Sequence, residues 1–192
     1  MSKEMNWEDL KYYKPIEKAE LAKAKKTIEN VIAANLAPFG FQKFGRKLIR
    51  KSNDVIHLIH LDSRGSWSGS SNSMKTEFAV ISIYDTDILV KNYEPISGSR
   101  IEDLAPKLKN YYQITQEFEL FADYLSKKII EIIVPYFDKY RSSEDVLAKG
   151  ITFGATKNLM QLCLASDAKN PDDNADLKVR KDAVFGKFKF RE

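Results

Sequence analysis

The chain is poor in the residues that make chemistry easy to read. Its 192 residues include one cysteine, Cys163, and two histidines, His57 and His60. A single cysteine excludes an intrachain disulfide framework and any Cys-x-x-Cys pair for redox or zinc. There are only eight glycines, and none forms a phosphate-cradling loop or a nucleophile elbow. No apolar run is long enough to cross a bilayer as a helix. The opening residues, Met1-Ser2-Lys3-Glu4-Met5-Asn6-Trp7, lack the apolar core of a signal peptide. The expectation is a cytoplasmic protein with no membrane partner, no cofactor and no metal.

A sizeable core is nonetheless encoded. The hydrophobic share is 43%, as in an ordinary globular domain. The net charge is +4. Residues 177–192 carry six cations, Lys178, Arg180, Lys181, Lys187, Lys189 and Arg191, against Asp182 and Glu192, so this end holds the whole excess. The organisation expected is one α+β domain over residues 1–170, then a polar linker and basic tail over 171–192.

The centre of that domain is the stretch from Leu36 to Tyr84. Leu21, Ala24, Ile28, Val31, Ile32 and Leu36 recur at helical spacing, and Pro38 and Gly40 end the run. Three strands are predicted after it: Gly45–Arg50, Val55–Asp62 and Lys75–Tyr84. The second, Val55-Ile56-His57-Leu58-Ile59-His60-Leu61-Asp62, is β-branched and apolar on both faces, as a central strand is. Residues 63–73 read as a Ser/Gly-rich loop. Short strands are expected at Ser99–Leu104 and Tyr111–Ile114. Thr115 then reads as the cap of a long helix with a stripe of Phe118, Phe121, Ala122, Leu125, Ile129, Ile132 and Ile133, which Pro135 should kink or stop. Ser142 with Asp145 opens a short helix, and another follows near Ala155 to Ala165. The fold class is α+β: an antiparallel sheet of four to six strands with three or four helices largely on one face.

Chemical constellations are few. On a strand, His57 and His60 point to opposite faces and cannot chelate one ion together. Cys163 lies among Leu159, Leu162 and Leu164 and reads as a buried thiol. Asp172-Asp173-Asn174-Ala175-Asp176 lacks the Gly and Glu of a calcium loop. Two binding candidates remain. One is the basic run Lys43, Arg46, Lys47, Arg50 and Lys51, with Arg46 and Arg50 sharing a strand face beside Arg64 and Trp67 of the loop. The other is the tail, where Phe188 and Phe190 alternate with Lys187, Lys189 and Arg191 as in a half-buried strand. Each is read first as an edge strand of the chain's own sheet and second as a binding surface.

One resemblance accompanies these residues. A helix followed by Gly40-Phe41-Gln42-Lys43 and Gly45-Arg46, then a strand ending at Asp62-Ser63-Arg64, resembles a bacterial family catalogued as domain of unknown function 4304. Arg100-Ile101, Pro135-Tyr136-Phe137 and Ser143-Glu144-Asp145-Val146-Leu147 fill the later positions, so the resemblance covers residues 18 to 165. Leu48-Ile49 stands where the family has an aromatic, and no Gln precedes Ser63. The resemblance implies an α+β architecture and no particular activity.

Three functions follow. A non-catalytic module binding an unidentified protein partner comes first, by analogy with small immunity proteins of the bacterial cytosol. Nucleic-acid binding through the basic strand and tail is the second. An enzyme using His57 or His60 as general base, with Asp62 or Glu77 nearby, is the third. The sequence points away from an enzyme and leaves the oligomeric state open.

Overall fold

The structure is a computed structural model that describes residues 7–8, 14, 16–63, 72–84, 99–149, 161, 164–165 and 175–190. Helix α1 spans Leu21–Leu36 and buries Leu21, Ala24, Ile28, Ile32 and Leu36 along one stripe. A 3-10 turn, Ala37–Phe39, carries Pro38, and Gly40 ends it with φ +82°. That left-handed conformation is why glycine stands there, and it lets the chain reverse into the sheet.

The sheet is antiparallel, in the order β1 (Gln42–Phe44), β2 (Lys47–Ser52), β3 (Val55–Asp62), β4 (Ser73–Ser82), β5 (Ser99–Arg100). A sixth strand, β6 (Tyr112–Gln113), pairs with the start of β4. The first strand predicted from sequence is divided differently. Gly45 has φ +61° and turns the chain between β1 and β2, so Arg46 lies in that turn. Arg46 and Arg50 therefore do not share a strand face. β3 is the central strand, buried from Val55 through Leu61. The register places Leu48, Ile59 and Phe78 side by side on one face, and Ile49, Leu58 and Ala79 on the other.

The first face takes the long helices. α1 packs there with α3 (Phe118–Lys128), whose stripe Phe121, Ala122 and Leu125 continues through Ile129 and Ile133. The small buried residues Ala24 and Ala122 line the two helices, and Asn35 of α1 donates to Ser126 Oγ at 3.1 Å. Pro135 neither stops nor breaks the helix. A π turn at Ile129–Ile133 precedes it, and α4 (Val134–Phe137) follows directly. Widening one turn removes the conflict between the proline ring and the carbonyl below it. Thr115 is not the cap: α3 starts at Phe118, and Thr115 Oγ1 is buried with no partner among the described residues. Residues 99–104 are also divided, into β5 and a helical turn, α2 (Ile101–Leu104). Near the N-terminus, Trp7 packs on Phe121 with ring centroids 5.3 Å apart. Beside it the Glu8 carboxylate accepts from the Tyr112 hydroxyl at 2.6 Å and from the Tyr124 hydroxyl.

The second face has a smaller cover. α5 (Ser143–Ala148) begins with the Ser142/Asp145 capping box expected from sequence. Ser143 joins it to the sheet: its N–H donates to Asp54 Oδ1 at 2.9 Å, and its hydroxyl bonds Ser82 Oγ at 2.7 Å. The rest of this cover is a correction to the sequence reading. The tail is a helix, α6 (Ala175–Phe188), not an alternating strand. Val184 and Phe188, one turn apart, are buried against Ile49, Ile56, Leu58 and Ile81. Phe188 meets Phe44 with ring centroids 5.5 Å apart, and the Lys51 ammonium sits 4.3 Å from the Phe185 ring centroid. Burying Val184 and Phe188 contributes roughly 3–6 kcal/mol. Residues 64–71 of the expected loop, most of the helix expected over 155–165, and Cys163 lie outside the described residues.

Candidate functional site

β3 presents its two histidines to different surroundings. His57 faces the long helices and is fully buried. Arg50 Nε donates to His57 Nδ1 at 3.0 Å. A guanidinium has no acceptor, so Nδ1 must be unprotonated and Nε2 carries the hydrogen. That hydrogen goes to the Tyr140 carbonyl, 2.7 Å away. The ring also stacks on Phe137, with centroids 4.6 Å apart and planes 8° from parallel. Burial pushes the His57 pKa down to about 4; the Tyr140 bond opposes the shift and the Arg50 charge adds to it. Both nitrogens are in use, so His57 has none to offer a substrate.

Arg50 is equally committed. Besides His57 it holds Asp138 Oδ1 at 2.9 Å and the Phe39 carbonyl at 3.4 Å, and it lies 4.9 Å from the Phe41 ring centroid. These contacts tie β2 to the turns that follow α1 and α4. Phe188 is spent on the second face, and Phe190 is half-buried against Phe185 and Phe188. Arg64 and Trp67 lie outside the described residues. Of the candidates read from sequence, Arg46 alone is described as exposed.

His60 faces the other way, into a charged row that crosses four strands. The register sets Lys47 opposite His60, His60 opposite Glu77 and Glu77 opposite Arg100. His60 Nδ1 stands 3.4 Å from Glu77 Oε2, and the imidazole is almost wholly buried. The next row toward the strand ends pairs Asp62 with Lys75. Alternation along a strand puts Lys47, His60, Asp62, Lys75 and Glu77 on this second face. Away from α6 the second face thus changes from aliphatic to charged.

Two further cations border this end of the sheet. Arg46 sits in the β1–β2 turn, and its carbonyl accepts from the Leu61 N–H at 3.3 Å. Lys25 reaches over from α1, and its ammonium donates to the Ser63 carbonyl at 2.7 Å. Burial lowers the Lys25 pKa first, and the charge of Arg46 lowers it further, against the raising influence of Asp62 and Glu29. Lys25 and Arg46 thus both border the end of β3, at Ser63 and Leu61. Lys47, His60, Asp62, Lys75 and Glu77 share the second face, with Arg100 paired to Glu77 on β5, while Lys25 comes from α1 on the first face and Arg46 from the turn at the strand end. Sequence reasoning found Arg46, Lys47, His60, Asp62 and Glu77 but missed Lys25, Lys75 and Arg100. Spacing carries no signal for them, because only strand pairing and the packing of α1 bring them in.

Among the described residues no group of three or more His, Cys, Asp or Glu side chains is placed to hold a metal ion. No helix among them is long and apolar enough to cross a membrane. No protein-family model, no curated protein and no solved structure matches the chain.

Proposed function

We propose that this protein is a non-catalytic binding module that holds a protein partner, in a bacterial cytosol, at the charged end of its sheet. The observation that carries this reading is that two cations border the same strand end, Lys25 bonded to the Ser63 carbonyl and Arg46 joined through its carbonyl to the Leu61 N–H. Holding two cations at one strand end costs stability unless something anionic offsets it. Asp62 offsets part of it within the fold. The Ser63 carbonyl fixes Lys25 in position, and a fixed donor loses less entropy when a partner docks.

The test is retention of a partner from source-cell lysate on tagged wild-type protein and on a Lys25→Glu, Arg46→Glu variant, followed by titration of the purified partner. The partner should bind the variant at least about tenfold more weakly, with the melting curve little changed. Equal affinity for the two proteins would sink the reading.

The same site supports a second reading. A carboxylate beside one imidazole nitrogen orients the ring and leaves the other nitrogen available, as in a general base. His60 and Glu77 have that relation at 3.4 Å. In this reading His60→Gln would abolish turnover of a substrate while leaving partner retention unchanged.

A further inference from the structure

We infer that Lys109, Tyr112, Phe121 and Tyr124 form a receptor for a polypeptide segment with an aromatic ring next to a carboxylate, and that the chain's own Trp7-Glu8 pair is its resident, displaceable occupant. This receptor uses other residues than the charged end of the sheet. The Glu8 Oε1 accepts from the Tyr112 hydroxyl at 2.6 Å and from the Tyr124 hydroxyl, and Oε2 accepts from the Lys109 N–H at 3.1 Å. Three donors, from a loop, from β6 and from α3, thus converge on one carboxylate. Trp7 is buried beside it, with its ring centroid 5.3 Å from that of Phe121 and 6.2 Å from that of Tyr124. A ring and a charged group on successive residues are read together, an apolar wall with a few convergent polar groups.

The receptor is built without its occupant. β6 is paired to β4 at Ser73–Gln113 and Met74–Tyr112, and the Ile114 N–H donates to the Asn72 carbonyl at 2.6 Å. α3 is tied to α1 through Asn35 and Ser126. The Tyr112 ring lies 5.4 Å from Phe121 and 6.2 Å from Tyr124 between centroids. None of these contacts passes through residues 7 or 8. The bonds to Lys109, Tyr112 and Tyr124 span 101, 104 and 116 residues and run through the Glu8 side chain. A segment anchored by side chains in a preformed site exchanges with an equivalent one by mass action.

The donors also set the ligand's chemistry. Burial pushes both tyrosine hydroxyls above their ordinary range, and the hydrogen bond to Glu8 adds to it, so both stay protonated. Such hydroxyls cost stability when left without an acceptor, and a carboxylate is a stronger acceptor than an amide.

The experiment uses the full-length protein and the acetylated, amidated tetrapeptide Asn-Trp-Glu-Asp, the sequence of residues 6–9. In a Trp7→Ala, Glu8→Ala variant the receptor is empty. The peptide should shift its Lys109, Tyr112 and Tyr124 amides and raise its melting temperature. Wild type, whose tethered pair competes as an intramolecular ligand, should bind the peptide at least about tenfold more weakly. The peptide carrying Glu8→Gln should bind the variant about tenfold more weakly. Glu8→Ala alone, which keeps Trp7, guards against an unfolded double variant. Its Lys109 amide should exchange hydrogen faster than in wild type, and acetate should slow that exchange where chloride at equal ionic strength does not.

Three outcomes overturn the inference. Equal affinity of wild type and double variant, or shifts away from these amides, places the peptide elsewhere. Equal affinity for the Glu and Gln peptides means a slot for the indole alone. No binding by a folded double variant, or no effect of acetate on Glu8→Ala, makes Trp7 and Glu8 fixed parts of the core.

Discussion

His57 and His60 stand on the same strand, and the sheet places them in opposite kinds of polar environment. His57 belongs to a closed network: Arg50, Asp138, Phe137 and the Tyr140 carbonyl use both ring nitrogens and one ring face. His60, nearly as buried, belongs to a row of mixed charge, with a long contact to Glu77 and cations at both ends of the row. The difference teaches where polarity serves the fold and where it is left for something else. Buried polar groups that are fully satisfied fasten elements together. A buried imidazole whose contact to Glu77 is as long as 3.4 Å fastens less than one with both nitrogens bonded at 2.7 and 3.0 Å.

The comparison breaks most visibly at His57. His57→Ala removes the stack on Phe137 and leaves the Arg50 Nε and the Tyr140 carbonyl without their partner. Denaturant unfolding should register a loss of about 3–4 kcal/mol. A loss under about 1 kcal/mol would show that the network is not closed in the sense argued here.

The next effect is in pH. The folded pKa of His57 lies near 4, below its ordinary 6.5. The unfolded chain therefore binds the proton more readily between those values. The stabilisation is complete above pH 6.5 and is lost as pH falls toward 4, by roughly 3 kcal/mol in total. Melting temperature followed over that window should drop in the wild type beyond the fall from other groups. The same profile for His57→Gln should be flatter, and parallel profiles would refute the neutral, buried assignment.

A smaller change tests the partner of that ring. Arg50→Lys keeps the charge but loses the planar fork that reaches His57, Asp138 and the Phe39 carbonyl together. Chemical denaturation should show about 1–2 kcal/mol of destabilisation. The smallest expected effect is at His60. His60→Gln keeps a polar group beside Glu77 and should cost about 1 kcal/mol or less. If it costs as much as His57→Ala, the row is structural and the site proposed there is wrong.

Much of the fold was legible because its signals are local. The stripe from Leu21 to Leu36, the doubly apolar β3 and the Ser142/Asp145 box each follow from spacing within a few residues. The opposite facing of the two histidines follows from the same period of two. The tail was misread because Phe188 and Phe190 fit a strand period, while Val184 and Phe188 fit a helix period equally well. The hydrophobic second face of β2, β3 and β4 favoured the helix by burying Val184 and Phe188 together. Arg46 and Arg50 were grouped by spacing, and a turn at Gly45 separated them.

The amino-acid sequence by itself determined which segments are amphipathic, where they break and which residues of β3 share a face. These are set by backbone periodicity and by the restricted dihedrals of proline and glycine, and they need no distant partner. The tertiary structure alone decided which polar groups are used up and which are gathered. It closed Arg50 onto His57 and Asp138, 88 residues beyond it. It brought Lys25 to Ser63 and set Lys47, His60, Glu77 and Arg100 in line. The physical reason is that hydrogen bonds and charges act through space over a few ångströms, and strand pairing decides which distant residues come within that range.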